Sequence, residues 1–290
     1  MIKASLHKEL NTANGKGALS VDLTLQKGTI TSLYGESGVG KTMILRMLAG
    51  LEVPDRGTVM FDEDVWFSNS RGGGLSVDKR RVGFVFQDYG LFPNMSIEEN
   101  VRFAAAKGDE SLIHYYIDAF GLTTLKDRKP GELSGGQKQR TAIARALVYK
   151  PKVLLLDEPF TAQDKKRSDI VGRQILKYTE ENDCVTVLVT HDIAATLKLA
   201  TYIYSIINGE VMSEGSVGDV FLNDTGSKRN GIHGVVADKL NHDGRRVLLV
   251  LVNEQMLEIG VDQAIDLFEI GDEVYLKLDE NSSSFRVEKL

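Results

Sequence analysis

Apolar positions along this chain fall into short continuous runs separated by stretches of helical spacing. Thr29 to Tyr34, Val82 to Phe86, Val153 to Leu156 and Val185 to Thr190 are compact runs that predict buried strands. Between them, Met43, Ile44, Met47, Leu48 and Leu51 recur at helical spacing, as do Ala142, Ile143, Ala146 and Leu147. Asp88 to Glu132 reads as mostly helical, with Ser96 and Glu99 spaced as a capping box and Leu112, Tyr115, Tyr116, Ala119 and Phe120 as one apolar face. A polar helix is predicted from about Lys165 to Glu181. Buried strands alternating with helices predict a parallel sheet.

The ends of the chain read differently. Before Lys27 the pattern alternates, as in Leu19-Ser20-Val21-Asp22-Leu23-Thr24-Leu25, which predicts antiparallel strands. Val53 to Phe67 predicts more strand, with a turn at Pro54-Asp55-Arg56-Gly57, and Arg71 to Gly74 a flexible loop. From Gly231 to Leu290 there are five short strand-like runs: Val235 to Ala237, Val247 to Val252, Met256 to Ile259, Val274 to Leu278 and Phe285 to Glu288. Five strands in so short a segment suit a small OB-like barrel. The division expected is 1–225 for a large domain and 226–290 for a small one.

Charge separates the same two parts. Of 35 basic and 41 acidic residues, Gly231 to Leu290 holds 6 and 12, which leaves 29 of each before it. Neither part has the basic excess of a general nucleic-acid binder, so none is expected as a partner. No apolar run is long enough to span a bilayer, and the N-terminus lacks the pattern of a secretory signal. Cys184 is the only cysteine and reads as a small buried core residue, which points to a cytoplasmic setting.

The chemistry starts at Gly35-Glu36-Ser37-Gly38-Val39-Gly40-Lys41-Thr42, which fits GxxxxGK[ST] between a predicted strand and a predicted helix. Backbone N–H groups of such a loop curl around an anion, and the helix N-terminus adds partial positive charge. Lys41 is placed for the β- and γ-phosphates of ATP and Thr42 for Mg²⁺. Lys41, Gln87, Asp157, Glu158 and His191 all fall just past predicted strand ends, the edge where open α/β sheets bind ligands. There Asp157 can hold Mg²⁺ and Glu158 can act as general base. Gln87 can ligate the metal or orient the attacking water, and His191 can hydrogen-bond the γ-phosphate. Taken singly, Gln87 and His191 read as a polar strand cap and a structural histidine.

Leu133-Ser134-Gly135-Gly136-Gln137 opens a helix and forms a second anion-binding surface, without a lysine of its own. It reads as half a site, which a twofold copy of the chain would complete. With these residues assembled, the sequence resembles the nucleotide-binding subunit of an ATP-binding cassette (ABC) transporter over roughly Met1 to Asn223. The resemblance implies a P-loop NTPase domain of ABC type, with antiparallel β and helical subdomains. In family terms Gly35 to Thr42 is the Walker A loop, Gln87 the Q-loop and Ser134 to Gln137 the signature. Asp157 and Glu158 are Walker B and catalytic glutamate, His191 is the switch histidine, and Asp164 belongs to the D-loop.

Departures accompany the match. Met1 to Ile30 contains no aromatic residue of the kind that often stacks on adenine, and His7 is a weak substitute. The D-loop reads Thr161-Ala162-Gln163-Asp164, and Thr201 stands where an Asp is common. Asp88-Tyr89-Gly90-Leu91-Phe92-Pro93 resembles importer subunits, with Tyr89 and Phe92 either lining a groove for a permease or packing under the helical subdomain. Ser227 to Val235 resembles the opening strand of the oxyanion-binding (TOBE/Mop-like) domains of molybdate importer ATPases. The tail is then either a regulatory oxyanion site around Ser227, Lys228, Arg229 and Asn230 or a structural dimerisation module.

The resemblance implies an ATPase using ATP and Mg²⁺, homodimeric, bound peripherally to integral permease subunits on the cytoplasmic side of the inner membrane. A substrate-binding protein would be an indirect partner. Molybdate is the cargo expected, with sulfate, ferric iron or a polyamine as alternatives. A non-transport ABC switch acting on DNA or ribosomes is a further alternative, which the neutral charge disfavours. A nonenzymatic oxyanion-binding protein is another.

Overall fold

The computed structural model describes residues 1–12, 15–71, 73–160, 165–190, 193–216, 219–220, 232–242, 245–252, 255–261, 265–278 and 285–289. Two compact units result, Met1–Met212 and Ser213–Leu290.

The first unit is built on strands β1 (Ile2–Thr12), β2 (Gly15–Leu25), β3 (Thr29–Tyr34), β4 (Arg56–Phe61), β5 (Asp64–Ser68), β6 (Gly73–Gly74), β7 (Val82–Val85), β8 (Val153–Asp157), β9 (Val185–Val189), β10 (Tyr202–Ile207) and β11 (Glu210–Ser216). Their order in the sheet is β6-β5-β4-β1-β2-β11-β10-β3-β9-β8-β7. From β10 to β7 the pairing is parallel throughout. Toward the other edge, β2, β1, β4, β5 and β6 pair antiparallel. Parallel strands covered on both faces need apolar residues at every position. β8 meets that demand: Val153 and Leu155 join one core, Leu154 and Leu156 the other.

Among the described residues the first unit has the α-helices α1 (Lys41–Ala49), α2 (Ile97–Ala104), α3 (Glu110–Ala119), α4 (Gly135–Val148), α5 (Lys165–Glu181) and α6 (Ile193–Leu199). α1 packs with β1, β2 and the odd-numbered positions of β8, while α2 to α5 share the opposite core. Ser96 and Glu99 form the reciprocal capping box of α2. Cys184 is fully buried, and burial pushes its thiol up to about 12.

Four expectations change. Gly73 and Gly74 form a two-residue edge strand against Ser68 and Phe67 rather than a loop, because the absent side chains let the backbone close on β5. The buried face of α3 is Ile113, Tyr116, Ile117 and Phe120, and Tyr115 stands 41% exposed. Charged and polar neighbours hid that one-position rotation. Asp88 to Glu132 is less helical than expected: 88–96 is irregular, and the helices are α2, α3 and two short 3-10 turns. Strands β10 and β11 carry no prediction from the sequence, yet β10 pairs directly with β3 below the glycine loop.

In the second unit β12 (Ile232–His242), β13 (Arg245–Val252), β14 (Gln255–Gly260), β15 (Glu273–Leu278) and β16 (Phe285–Lys289) make one sheet in the order β14-β13-β12-β15-β16. All its pairings are antiparallel, with a bulge in β12 between Val236 and Asp238. Among the described residues β14 and β16 are open edges rather than a closed barrel seam. Val236, Leu248, Val250, Ile259, Phe268, Val274 and Leu276 form its core. Ser227 to Gly231 lie outside the described residues.

Candidate nucleotide site

The loop between β3 and α1 owes its shape to its glycines. Gly35 sits at φ 153°, where a Cβ would come within 2.2 Å of the Ile206 carbonyl oxygen on β10. Gly40, at φ 101°, is the N-cap of α1. It offers no side-chain acceptor, and the first turn contains no acidic residue. α2 and α4 differ, since each is closed by a reciprocal capping box. The first-turn N–H groups of α1 thus keep their capacity for an anion.

Lys41 is buried and turned back on this loop. Its Nζ donates to the carbonyl oxygens of Gly35 (2.8 Å) and Glu36 (2.6 Å). Burial lowers the ammonium pKa, against the opposing pull of Glu158, Asp157 and Glu36. The lysine therefore fills its own cradle with weak neutral acceptors, and phosphate oxygens are stronger ones. The Thr42 hydroxyl donates to Asp157 at 3.1 Å for Oδ1 and 2.9 Å for Oδ2. Burial raises the Asp157 carboxyl pKa, partly offset by the Thr42 hydrogen bond. A desolvated carboxylate touching a hydroxyl fits a hard divalent cation, which takes oxygen ligands and keeps several waters. The residues present thus fit both a phosphate chain and Mg²⁺.

Glu158 follows Asp157 at the end of β8. It takes φ 51°, and its N–H donates to the Val189 carbonyl oxygen at 2.9 Å. A left-handed glutamate is strained, and such strain clusters at functional sites. Ser37, Gly38, Gly40, Lys41, Thr42, Gln87, Asp157 and Glu158 line one cleft of about 450 Å³. Leu10, Met43, Arg46 and Val189 complete it. Gly35 and Glu36 act through their carbonyl groups, and Val39 packs into the core below.

Ser134, Gly135, Gly136 and Gln137 do not line that cleft. They sit at the start of α4, where the Ser134 Oγ accepts from the Gln137 N–H at 3.4 Å and the Gln137 side chain accepts from the Ser134 N–H at 2.8 Å. The Ser134 hydroxyl keeps its proton to donate. His191 and Asp164 lie outside the described residues.

Tyr89 and Phe92 are partly buried, not exposed. Tyr89 packs against the helical-side core, and Phe92 meets Phe103 of α2 at a 4.6 Å ring separation. Phe103 is 63% exposed and is the aromatic residue the sequence reading missed. Its place off the Ile97–Val101 face was the available signal. His7 is no substitute for a base-stacking ring. The pairing of β1 with β2 is unbroken, so His7 lies on the opposite sheet face from Leu6 and Leu10.

Comparison with known proteins agrees with this geometry. Residues 19–161 match the family described as ABC transporter. The molybdenum import ATP-binding protein of Rhodospirillum rubrum is 35% identical over 221 residues, 73% of this chain and 59% of that relative. The sulfate/thiosulfate import ATP-binding protein of Pseudomonas putida is 39% identical over 228 residues, 75% of this chain and 67% of that one. The Fe(3+) ions import ATP-binding protein of Mesorhizobium japonicum is 38% identical over 207 residues, 70% and 57%. The match thus spans about three fifths of the length of several of these curated relatives. An ATP-binding cassette solved as a dimer, bound to ADP and Pi after hydrolysis, superposes with TM-score 0.66 at 30% identity, over 75% of this chain and 99% of that one. With a relative 39% identical that the chain covers over 67% of its length, and a solved cassette 30% identical that it covers over 99%, this chain belongs to the ABC transporter family of ATP-binding proteins.

Proposed function

We propose that this chain is the ATP-hydrolysing subunit of an ABC importer. The observation that carries the reading is the single cleft that gathers Lys41, Thr42, Gln87, Asp157 and Glu158 at the strand ends. In this reading Lys41 leaves the Gly35 and Glu36 carbonyls for the β- and γ-phosphates, and the α1 N–H groups hold the remaining phosphate oxygens. Thr42, Asp157 and Gln87 would hold Mg²⁺, which when bound neutralises charge developing on the phosphate oxygens. Glu158 accepts a proton from water as that water's oxygen attacks the γ-phosphorus. The bond from that phosphorus to the bridging oxygen breaks, and ADP and phosphate leave. His191 would steady the γ-phosphate.

Ser134 to Gln137, remote from the cleft, would serve the nucleotide of a second copy, with Asp164 at the same interface. Two ATP would lie between two chains, and their hydrolysis would reopen the pair. No helix among the described residues is long and apolar enough to cross a membrane, so the work would be done on separate permease subunits. The chain would sit peripherally at the cytoplasmic face, with a substrate-binding protein as indirect partner. Residues 1–225 form the nucleotide-binding domain in this reading, and 226–290 a regulatory or dimerising one.

The cargo proposed is an oxyanion, molybdate first, supported by the Ser227 to Val235 resemblance and the molybdenum-importing relatives. Sulfate is the second reading, favoured by relatives of 39–40% identity. Uptake of radiolabelled molybdate, sulfate and ferric ion by cells lacking this chain tests both. Molybdate uptake alone should fail and return with the wild-type chain but not with Glu158→Gln. Loss of sulfate uptake instead would move the cargo.

A further inference from the structure

A second cavity, of about 240 Å³, is lined from α3 and α5, and shares no lining residue with the cleft at the strand ends. Part of its wall is apolar. Leu112 and the rings of Tyr116 and Tyr178 line it, and the Tyr178 hydroxyl is spent on the Pro151 carbonyl oxygen at 2.9 Å. Tyr115 and Tyr116 meet edge to face with ring centres 5.2 Å apart.

The polar groups are unevenly satisfied. Lys177 and Glu181 stand one helical turn apart on α5, and among the described residues neither forms an ion pair. Lys177 Nζ donates to the Tyr115 hydroxyl at 3.0 Å, a neutral acceptor that leaves two of its three donors. That bond and the Glu181 charge raise the Lys177 pKa and keep it an ammonium. Lys150, the other cation lining the cavity, is already paired with Asp109 at 2.8 Å. Tyr116 is 6% exposed, and among the described residues its hydroxyl has no hydrogen-bond partner. Burial, with Tyr115 and Glu181 nearby, raises its pKa, so the hydroxyl keeps a proton to donate. A buried hydroxyl without a partner is costly, and a ligand that accepts from it removes that cost.

An ammonium, a carboxylate and an unused buried hydroxyl beside apolar walls call for a ligand with both charges and an apolar body. We propose that this cavity is a second binding site, for a free α-amino acid with an aromatic or branched aliphatic side chain. The ligand's carboxylate accepts from Lys177 and from the Tyr116 hydroxyl. Its ammonium donates to Glu181, and its side chain lies against Leu112 and the Tyr178 ring. A plain anion would face Glu181 and a plain cation Lys177, and like charges brought together are penalised. The volume is below the roughly 300–1,000 Å³ of sites for drug-sized ligands, which suits a small occupant. The proposal does not depend on the nucleotide site.

The test is calorimetric titration of the full chain with four probes. L-phenylalanine and L-leucine carry both charges, 3-phenylpropanoate lacks the ammonium, and 2-phenylethylamine lacks the carboxylate. Phenylalanine should bind at least about ten-fold more tightly than either one-charge probe, the worth of one charge-assisted contact. Lys177→Met should abolish its preference over 2-phenylethylamine, and Glu181→Gln its preference over 3-phenylpropanoate. Tyr116→Phe should weaken phenylalanine about five-fold. Lys177 and Glu181 are exposed, and Tyr116→Phe removes only an unpartnered hydroxyl, so all three variants should melt with the wild type. Their affinity for Mg²⁺-ATP should also be unchanged, which separates a failure here from a failure of the nucleotide reading. Absence of binding by both amino acids would overturn the proposal. So would a one-charge probe binding as tightly as phenylalanine, or phenylalanine affinity unaltered in Lys177→Met and Glu181→Gln.

Discussion

Thr42 Oγ1 stands 2.9 Å from one carboxylate oxygen of Asp157 and 3.1 Å from the other, joining the first turn of α1 to the end of β8. The two residues are 115 positions apart in sequence, and this contact ties the phosphate loop to the strand end that carries Glu158. It also exposes a conflict between stability and chemistry, because Asp157 is buried and its pKa is raised by desolvation.

Asp157→Asn should therefore melt higher than the wild type in metal-free, nucleotide-free buffer while losing Mg²⁺-dependent hydrolysis. Above the raised folded pKa, Asp157 is ionised, and burial penalises the charge only in the folded chain. Asn removes that cost. The melting advantage should shrink as pH falls through the raised value and vanish below the unfolded carboxylate range. Scanning calorimetry of both proteins across pH checks the sign; a lower melting temperature for Asp157→Asn near neutrality contradicts it.

Gly35 and Gly38 differ in what surrounds them. A Cβ at Gly35 meets the Ile206 carbonyl at 2.2 Å, whereas nothing lies within 4 Å of one at Gly38. Gly38→Ala should cost about 1 kcal/mol for its positive φ alone. Gly35→Ala should cost more, about 2–3 kcal/mol or above, since the backbone must also shift. Urea midpoints rank the two, and equal costs would mean that the loop does not press on β10.

The half-site at Ser134 predicts complementation. Lys41→Ala should lose nucleotide affinity, and Ser134→Arg should keep it but fail to associate on adding ATP. Mixing the two restores one interface half with wild-type Lys41 facing wild-type Ser134. Light scattering should detect ATP-dependent association only in the mixture. Equal association in all three samples would show that Ser134 does not act across a dimer.

Phe103 is exposed beside Phe92, whose ring centre lies 5.4 Å from the Arg145 guanidinium, and it is the solvent-facing aromatic residue next to the Tyr89–Phe92 stretch that resembles importer subunits. Phe103→Ser should leave hydrolysis by the isolated subunit within about two-fold and the fold within about 0.5 kcal/mol. Co-purification with the permease should fall. Unchanged co-purification would move the docking surface elsewhere.

What could be read from the sequence follows from which forces are local. The glycine loop, the buried strands and the cap at Ser96 are set by neighbouring residues, and they stand in the structure where the pattern placed them; the reciprocal cap between Ser134 and Gln137 was not expected. Tertiary choices were less visible. The face of α3 turned by one position to bury Ile113 and Ile117. Arg80 gave no sign that its guanidinium would donate to Met47, Leu48, Leu75 and Trp66 and close the C-terminus of α1. Leu10 alternates with Ala4 and Leu6 and so lies on the cleft side of β1, with His7 on the other.

In the proposed reaction Glu158 drives hydrolysis from a left-handed backbone position beside Asp157. The most direct test is phosphate release from Mg²⁺-ATP by the wild-type chain and by Glu158→Gln. Glu158→Gln keeps the side chain's size and removes its ability to take a proton. Hydrolysis should fall at least about 100-fold while ATP still binds and the ATP-bound dimer accumulates. Phosphate release by Glu158→Gln at the wild-type rate would contradict the account.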